Sequence, residues 1–114
     1  MGKAPYTIQI NSDGMGVGDQ ELRHKLIKTY FTLLNENDYL PSVIAFYTDG
    51  VKLLVSGSPV LDVLASLEEK RVRLIACGTC LNHYGLAGDL QVGIQGGMTD
   101  IIEAQWRADK VITL

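Results

Sequence analysis

Cys77-Gly78-Thr79-Cys80 places two thiols three residues apart, and the chain holds no other cysteine. Two thiols are too few for a disulfide scaffold. The pair therefore stands for thiol chemistry, for metal ligation, or for two small buried apolar side chains. A thiolate here could accept sulfur as a persulfide and pass it on by thiol exchange, needing neither metal nor organic cofactor. C-x-x-C is also the spacing of disulfide oxidoreductases, whose motif follows an early strand of a mixed sheet. His83 extends the pattern to C-x₂-C-x₂-H. Residues at i, i+3 and i+6 drift around a short helix, and no second cluster completes a tetrahedral set, so no metal is expected. His83 reads as a polar neighbour of the thiols or as an exposed side chain. His24, among the lysines of the first helix, reads as surface.

A second constellation is the glycine-spaced stretch Gly14-Met15-Gly16-Val17-Gly18-Asp19. Its G-x-G-x-G spacing is not the dinucleotide G-x-G-x-x-G. Asp49, at the place of the ribose-binding acid, lies about thirty residues beyond the loop where about twenty are expected. A tight turn at a helix N-terminus, able to hold a small oxyanion, describes it better.

The elements that must position these residues alternate. Tyr6–Ile10 reads as a strand, and Asp19 as the N-cap of a helix with Leu22, Leu26, Tyr30, Leu33 and Leu34 along its apolar stripe. Val43–Tyr47 is a continuous apolar run, the pattern of a strand buried on both faces. Val51–Val55 is ambiguous between helix and extended chain. Ser58-Pro59 then starts a helix whose core face is Leu61, Leu64, Ala65 and Leu67. Val72–Ala76 is a third strand running into Cys77, followed by a short helix over 79–84 that stops at Gly85. Leu90–Ile94 is a fourth strand. A last helix has Met98, Ile101, Ile102, Gln105 and Trp106 on its face, with Trp106 expected in the core, and Val111–Leu114 is a terminal strand. Arg73 hints that the third strand lies at a sheet edge or against a partner subunit. The alternation specifies an α/β fold of three layers, α/β/α, around a mainly parallel sheet of about five strands. The carboxyl ends of parallel strands share one edge, where ligands of open α/β sheets bind. That edge collects Asn11, Asp13, Gly16, Gly18, Thr48, Asp49, Cys77, Cys80, Gln95 and Gly97. Cys77, between strand and helix, is placed where unpaired N–H groups stabilise a thiolate, and Cys80 lies one turn on.

Composition bounds the partners. At 114 residues, 46% apolar and 20% charged, the chain has the size of one domain with a real core. A net charge of −3 without a basic block argues against nucleic acid, since Lys70-Arg71-Arg73 reads as a solvated approach to a strand. No apolar run nears the ~20 residues that span a bilayer, and Met1-Gly2-Lys3-Ala4-Pro5 shows no leader hydrophobic region, so a cytoplasmic protein is expected.

The stretches Gly16-Val17-Gly18-Asp19-Gln20-Glu21-Leu22, Thr48–Leu53, Gly57-Ser58-Pro59-Val60-Leu61 and Cys77–Leu86 resemble the DsrE/DsrF-like family. Within it they are most similar to the carboxyl-terminal domain of YedF-type proteins, the sulfurtransferase-like selenium metabolism group. Val92-Gly93-Ile94 and Met98–Ile102 continue the resemblance, which spans residues 1–114 as a single domain. The resemblance implies a DsrE-like three-layer domain that forms homo-oligomers or hetero-oligomers, and a homo-oligomer is expected here, as dimer, trimer or hexamer. It also implies that Cys77, eight residues before Gly85, carries the sulfur. The chain departs from the pattern twice. The small sulfur-carrier domain of YedF-type proteins is absent, so a sulfur-donor or acceptor protein is expected in trans. Cys80 has no counterpart in relay members, which leaves an internal disulfide open. The expected function is persulfide transfer of sulfur or selenium. The alternatives are a non-catalytic module binding a small anion or a partner, and a purely structural subunit.

Overall fold

The structure, a computed structural model, describes residues 5–114, so the reading of Met1–Ala4 as free of a leader lies outside the described residues. Five strands, β1 (Tyr6–Ile10), β2 (Val43–Phe46), β3 (Arg73–Cys77), β4 (Ile94–Gly96) and β5 (Lys110–Thr113), form one sheet in the order β4-β3-β2-β1-β5. Every pairing is parallel, as expected for strands joined by helical crossovers. The helices are α1 (Gln20–Glu36), α2 (Leu61–Glu69), α3 (Gly78–His83) and α4 (Met98–Arg107).

Strand order and the right-handed crossover rule place the helices. The steps β1→β2→β3→β4 all run one way, so α1, α2 and α3 share a face. The step from β4 back to β5 reverses direction and lays α4 alone on the other. On that side Thr7 Oγ1 donates to the Ala104 carbonyl at 3.1 Å, and the Gln105 side chain hydrogen-bonds Gln9. Gln9 Nε2 in turn reaches Thr113 Oγ1 at 2.9 Å, tying β1 to both α4 and β5. The two helix layers make the central strands apolar on both sides: Ile8, Ile44, Ala45, Phe46, Ile75 and Ala76 are wholly buried. Each large aliphatic side chain so removed from water contributes about 1.5–3 kcal/mol.

Several local expectations are corrected. Asp19 does cap α1, accepting the Leu22 N–H, but the helix is turned so that Ile27, Phe31 and Leu34 meet the sheet while Leu22, Leu26 and Leu33 face outward. Trp106 is 88% exposed, not core, and Met98 and Ile102 lie open on the same helix, because Ile101 and Ala104 take the buried face. β3 is not an edge strand. Arg73 is exposed at its start, and β4 is so short that it pairs only with Ile75, Ala76 and Cys77. β4 itself begins at Ile94. Residues 90–93 are irregular, with Gly93 at φ +80 and Leu90 bridging antiparallel to Val55. Ser58 does not cap α2; its Oγ accepts the Val60 N–H at 3.2 Å one turn earlier, and the helix opens at Leu61. The ambiguous segment resolves as a 3₁₀ turn over Thr48–Leu54. It presses so closely on β1 that a Cβ on Gly50 would come within 2.1 Å of the Ile10 carbonyl oxygen.

Candidate functional site

Parallel pairing throughout brings the loops after β1, β2, β3 and β4 to a single edge, and the thiol pair sits in its middle. Cys77 ends β3 and occupies the N-cap of α3, and Cys80 follows in the first turn of that helix. Cys77 is 3% exposed and part of the hydrophobic core, whereas Cys80 is half-buried. Gly78 leaves room for the Gln95 side chain to lie across it: a Cβ there would come within 2.8 Å of Gln95 Nε2 and push that side chain aside. Gln95 is thereby brought from β4 to the peptide between the thiols. Gly97, two residues on, is not; its N–H donates to the Asp100 carboxylate at 2.9 Å at the start of α4.

Cys80 touches the loop after β2. The Thr48 main-chain N–H donates to its Sγ at 3.0 Å. Thr48 sits at φ +47, and its Oγ1 lies 2.7 Å from the carbonyls of both Asn11 and Tyr47, so Asn11 enters the site through its backbone. Burial, followed by the hydrogen bond to Cys77, pushes the Cys80 thiol above its ordinary range, and the Thr48 N–H pulls the other way. Beside them the Tyr84 hydroxyl donates to Asp49, and Lys52 reaches Asp49 at 3.3 Å while lying 4.4 Å over the Tyr84 ring. The Tyr84 hydrogen bond is the main reason that Asp49 is held below the ordinary carboxylate range, with Lys52 and Arg23 adding to it against a burial penalty.

The glycine loop forms the far wall. Asp13, Gly16, Gly18 and Asp49 come together with Arg23 and Lys52 around an open polar cleft of about 390 Å³. Asp13 and Lys52 also border a neighbouring cleft of about 350 Å³ that runs to Ser56, Ser58 and Tyr84. His24 is not free surface. Its Nε2 lies 3.0 Å from Asp13 Oδ1, and Gln20 reaches the other carboxylate oxygen at 3.2 Å. Four of the expected loop residues therefore share one cleft, Asn11 bears on Cys80 through Thr48, Gln95 lies over Gly78, and Gly97 stands apart. Thr48, placed at this edge by the sequence without a stated part, holds Cys80, and Lys52, Tyr84 and His24 belong to the site although sequence reasoning did not include them. Tyr84 was within reach: four residues after Cys80 on a helix, it must share that face. The conformation of Thr48 leaves no such trace. His83 is exposed and packs edge-on against Tyr84 at 5.2 Å. Among the described residues no three His, Cys, Asp or Glu side chains gather as metal ligands do, and no helix is long and apolar enough to cross a membrane.

Chemically, the arrangement offers a buried and an accessible thiol in contact, an N–H aimed at the accessible sulfur, and a polar cleft beside them. No curated protein matches the chain. Among solved structures it is similar to the YchN protein from E. coli, at 20% identity over 100% of both chains with a TM-score of 0.70. It is likewise similar to MTH1491 from Methanobacterium thermoautotrophicum, a protein of unknown function, at 21% identity over 98% of this chain and 100% of that one, TM-score 0.71. BT1422 from Bacteroides thetaiotaomicron, also of unknown function, matches at 12% identity over 96% and 95% of the two chains, TM-score 0.69. At these identities the structures speak for the fold alone. The sequence match to the DsrE/DsrF-like family extends over residues 17–114, from the glycine loop through both thiols to β5, and the chain belongs to that family.

Proposed function

We propose that this protein is a sulfurtransferase-like carrier that takes up sulfur or selenium as a persulfide on the Cys77–Cys80 pair, within an intracellular sulfur relay or selenium metabolism of the YedF kind. The observation that carries the reading is the thiol pair at the carboxyl edge of the sheet, with the Thr48 N–H on Cys80 Sγ. Uptake is a thiolate attack on the outer sulfur of a donor persulfide, which leaves the donor as a thiolate. A main-chain N–H at the attacking sulfur stabilises its negative charge. The donor and acceptor are separate proteins, and the carrier works as a homo-oligomer. The open apolar side chains Met98, Ile102 and Trp106 on α4 and Val111 on β5 support that assembly.

The test is sulfur uptake. Protein mixed with a persulfide donor takes one sulfur from it, read as added mass or as released sulfide, and the Cys77→Ser/Cys80→Ser double variant takes none. Absence of both added sulfur and released sulfide, with a donor shown to load another thiol, ends the carrier reading. A second reading, a non-catalytic module that binds a small anion or a partner segment, is favoured by the burial of Cys77 and by the polar cleft at the glycine loop. Under it the double variant keeps its partner, and the wild-type thiols resist alkylation.

A further inference from the structure

The two thiols of the pair are not equivalent. Cys80 is partly open and receives the Thr48 N–H at 3.0 Å, while Cys77 is 3% exposed beneath it. They stand at the N-cap and in the first turn of α3, near enough for Cys77 to bear on the charge of Cys80. Side chains three apart at the start of a helix are neighbours with Cβ atoms about 5–6 Å apart, and a small backbone adjustment at the N-cap closes that to the roughly 3.5–4.5 Å of a disulfide. A persulfide formed on one of these sulfurs therefore faces a second thiol held at a very high effective concentration. Such a pair is poorly built for long storage of sulfane sulfur and well built for discharging it.

Resting on the reading that this pair accepts sulfane sulfur, we propose that it discharges the sulfur as sulfide, with Cys80, the open thiol, as the acceptor in place of the Cys77 to which the resemblance points, and with buried Cys77 as the resolving thiol. In the first step the Cys80 thiolate attacks the outer sulfur of a donor R–S–SH. A bond forms between Cys80 Sγ and that sulfur, the donor S–S bond breaks, and its electron pair leaves on R–S⁻, which takes up the proton Cys80 gave up. Only Cys80 can do this without rearrangement, because displacement at sulfur needs an open nucleophile approaching along the S–S axis. In the second step Cys77 attacks Cys80 Sγ, the inner sulfur. The Cys77–Cys80 disulfide forms, the bond to the outer sulfur breaks, and that sulfur departs as HS⁻ and takes the Cys77 proton to become H₂S. The sum is Cys80–S–SH plus Cys77–SH giving the disulfide and H₂S, with the outer sulfur reduced, the two cysteines oxidised and no outside oxidant consumed. Two equivalents of a thiol reductant, oxidised to their own disulfide, then restore the pair.

The test mixes reduced full-length protein with glutathione persulfide and follows trapped sulfide, free thiols and intact mass. Wild type is expected to release one sulfide per chain as its two thiols disappear together. Cys77→Ser is expected to hold the added sulfur on Cys80 and to release sulfide at least about tenfold more slowly. Cys80→Ser is expected to take up sulfur at least about tenfold more slowly, because only the buried thiol remains. Serine at position 80 still accepts the Thr48 N–H, and Cys77→Ala serves as a second variant in case a buried hydroxyl disturbs folding. A stable persulfide on wild type with no sulfide, or Cys80→Ser loading as fast as wild type, overturns the resolving scheme and leaves the carrier reading standing. Added sulfur on no cysteine in any variant removes both.

Discussion

The main-chain N–H of Thr48 points at the sulfur of Cys80 across 3.0 Å, which couples the loop after β2 to the helix after β3. The coupling depends on a backbone conformation that a β-branched residue rarely adopts, φ +47. The Thr48 hydroxyl, bonded to the carbonyl of Asn11 or of Tyr47, and the close seat of Gly50 against Ile10 hold it there. Strain of this kind costs about 1–3 kcal/mol and persists where the surroundings over-determine it.

Thr48→Gly relieves that strain and loses the hydroxyl's hydrogen bond, and the two effects largely cancel. Its stability is expected within about 1 kcal/mol of wild type. Thr48→Val keeps the strain, loses the bond, and is expected to cost about 1–2 kcal/mol. Urea denaturation of the two variants separates these outcomes; equal losses would contradict the account of Thr48.

The Cys80 thiol carries a pH signature. Its folded pKa is raised, by burial first and by the Cys77 hydrogen bond second. The folded state therefore keeps its proton while the unfolded chain loses it. This contribution to stability is whole below the ordinary thiol range and declines as pH rises from there through the folded pKa. Cys77→Ser weakens one cause of the rise, so the pH midpoint for alkylation of Cys80 by iodoacetamide is expected to move down. An unchanged or higher midpoint would contradict the contact between the thiols.

The turn of α1 is tested by two substitutions on one helix. Phe31 is fully buried and Leu26 is 43% exposed. Phe31→Ala is expected to cost about 3–5 kcal/mol through the lost burial and the cavity left behind. Leu26→Ala is expected to cost under about 1 kcal/mol in the monomer. Chemical denaturation at low protein concentration gives both numbers, and a reversed order would mean the helix faces the other way.

Trp106 is the only tryptophan, so its fluorescence reports on the α4 face alone. In a homo-oligomer that covers this face, emission is expected to shift to the red on dilution as the ring meets water. Trp106→Ala is expected to change monomer stability by less than about 0.5 kcal/mol while shifting the assembly toward monomer. Light scattering coupled to gel filtration reads the second effect. A variant that assembles like wild type would remove this face from the interface.

The architecture was legible because its signals were redundant. Val43–Phe46 and Leu74–Ala76 are unbroken apolar runs, and strand–helix alternation leaves few topologies once crossovers are right-handed. The facing of α1 was not. Leu22, Leu26 and Leu33 keep helical spacing as well as Ile27, Phe31 and Leu34 do, and spacing alone does not choose between two apolar stripes on one helix. Trp106 was misplaced for a related reason: Ile101 and Ala104 suffice to seat α4, and the larger side chains ride outside. The glycine loop and the thiols were brought to one edge by parallel pairing, which sequence does reveal. The surroundings of the thiols were hidden, because the Thr48 N–H on Cys80 and the Gln95 side chain over Gly78 arrive from distant parts of the chain.

β5 pairs with β1, joining Tyr6 to Lys110 and Gln9 to Thr113 across nearly the whole chain, although it is the last strand to be synthesised. Until it docks, one edge of β1 keeps its main-chain groups unpaired, open to the wrong neighbour. That pairing closes the longest loop in the sheet, with a correspondingly large entropic cost, and belongs among the late events of folding. During synthesis, β1 through β4 can form a partial sheet whose vulnerable border waits for the final element to arrive.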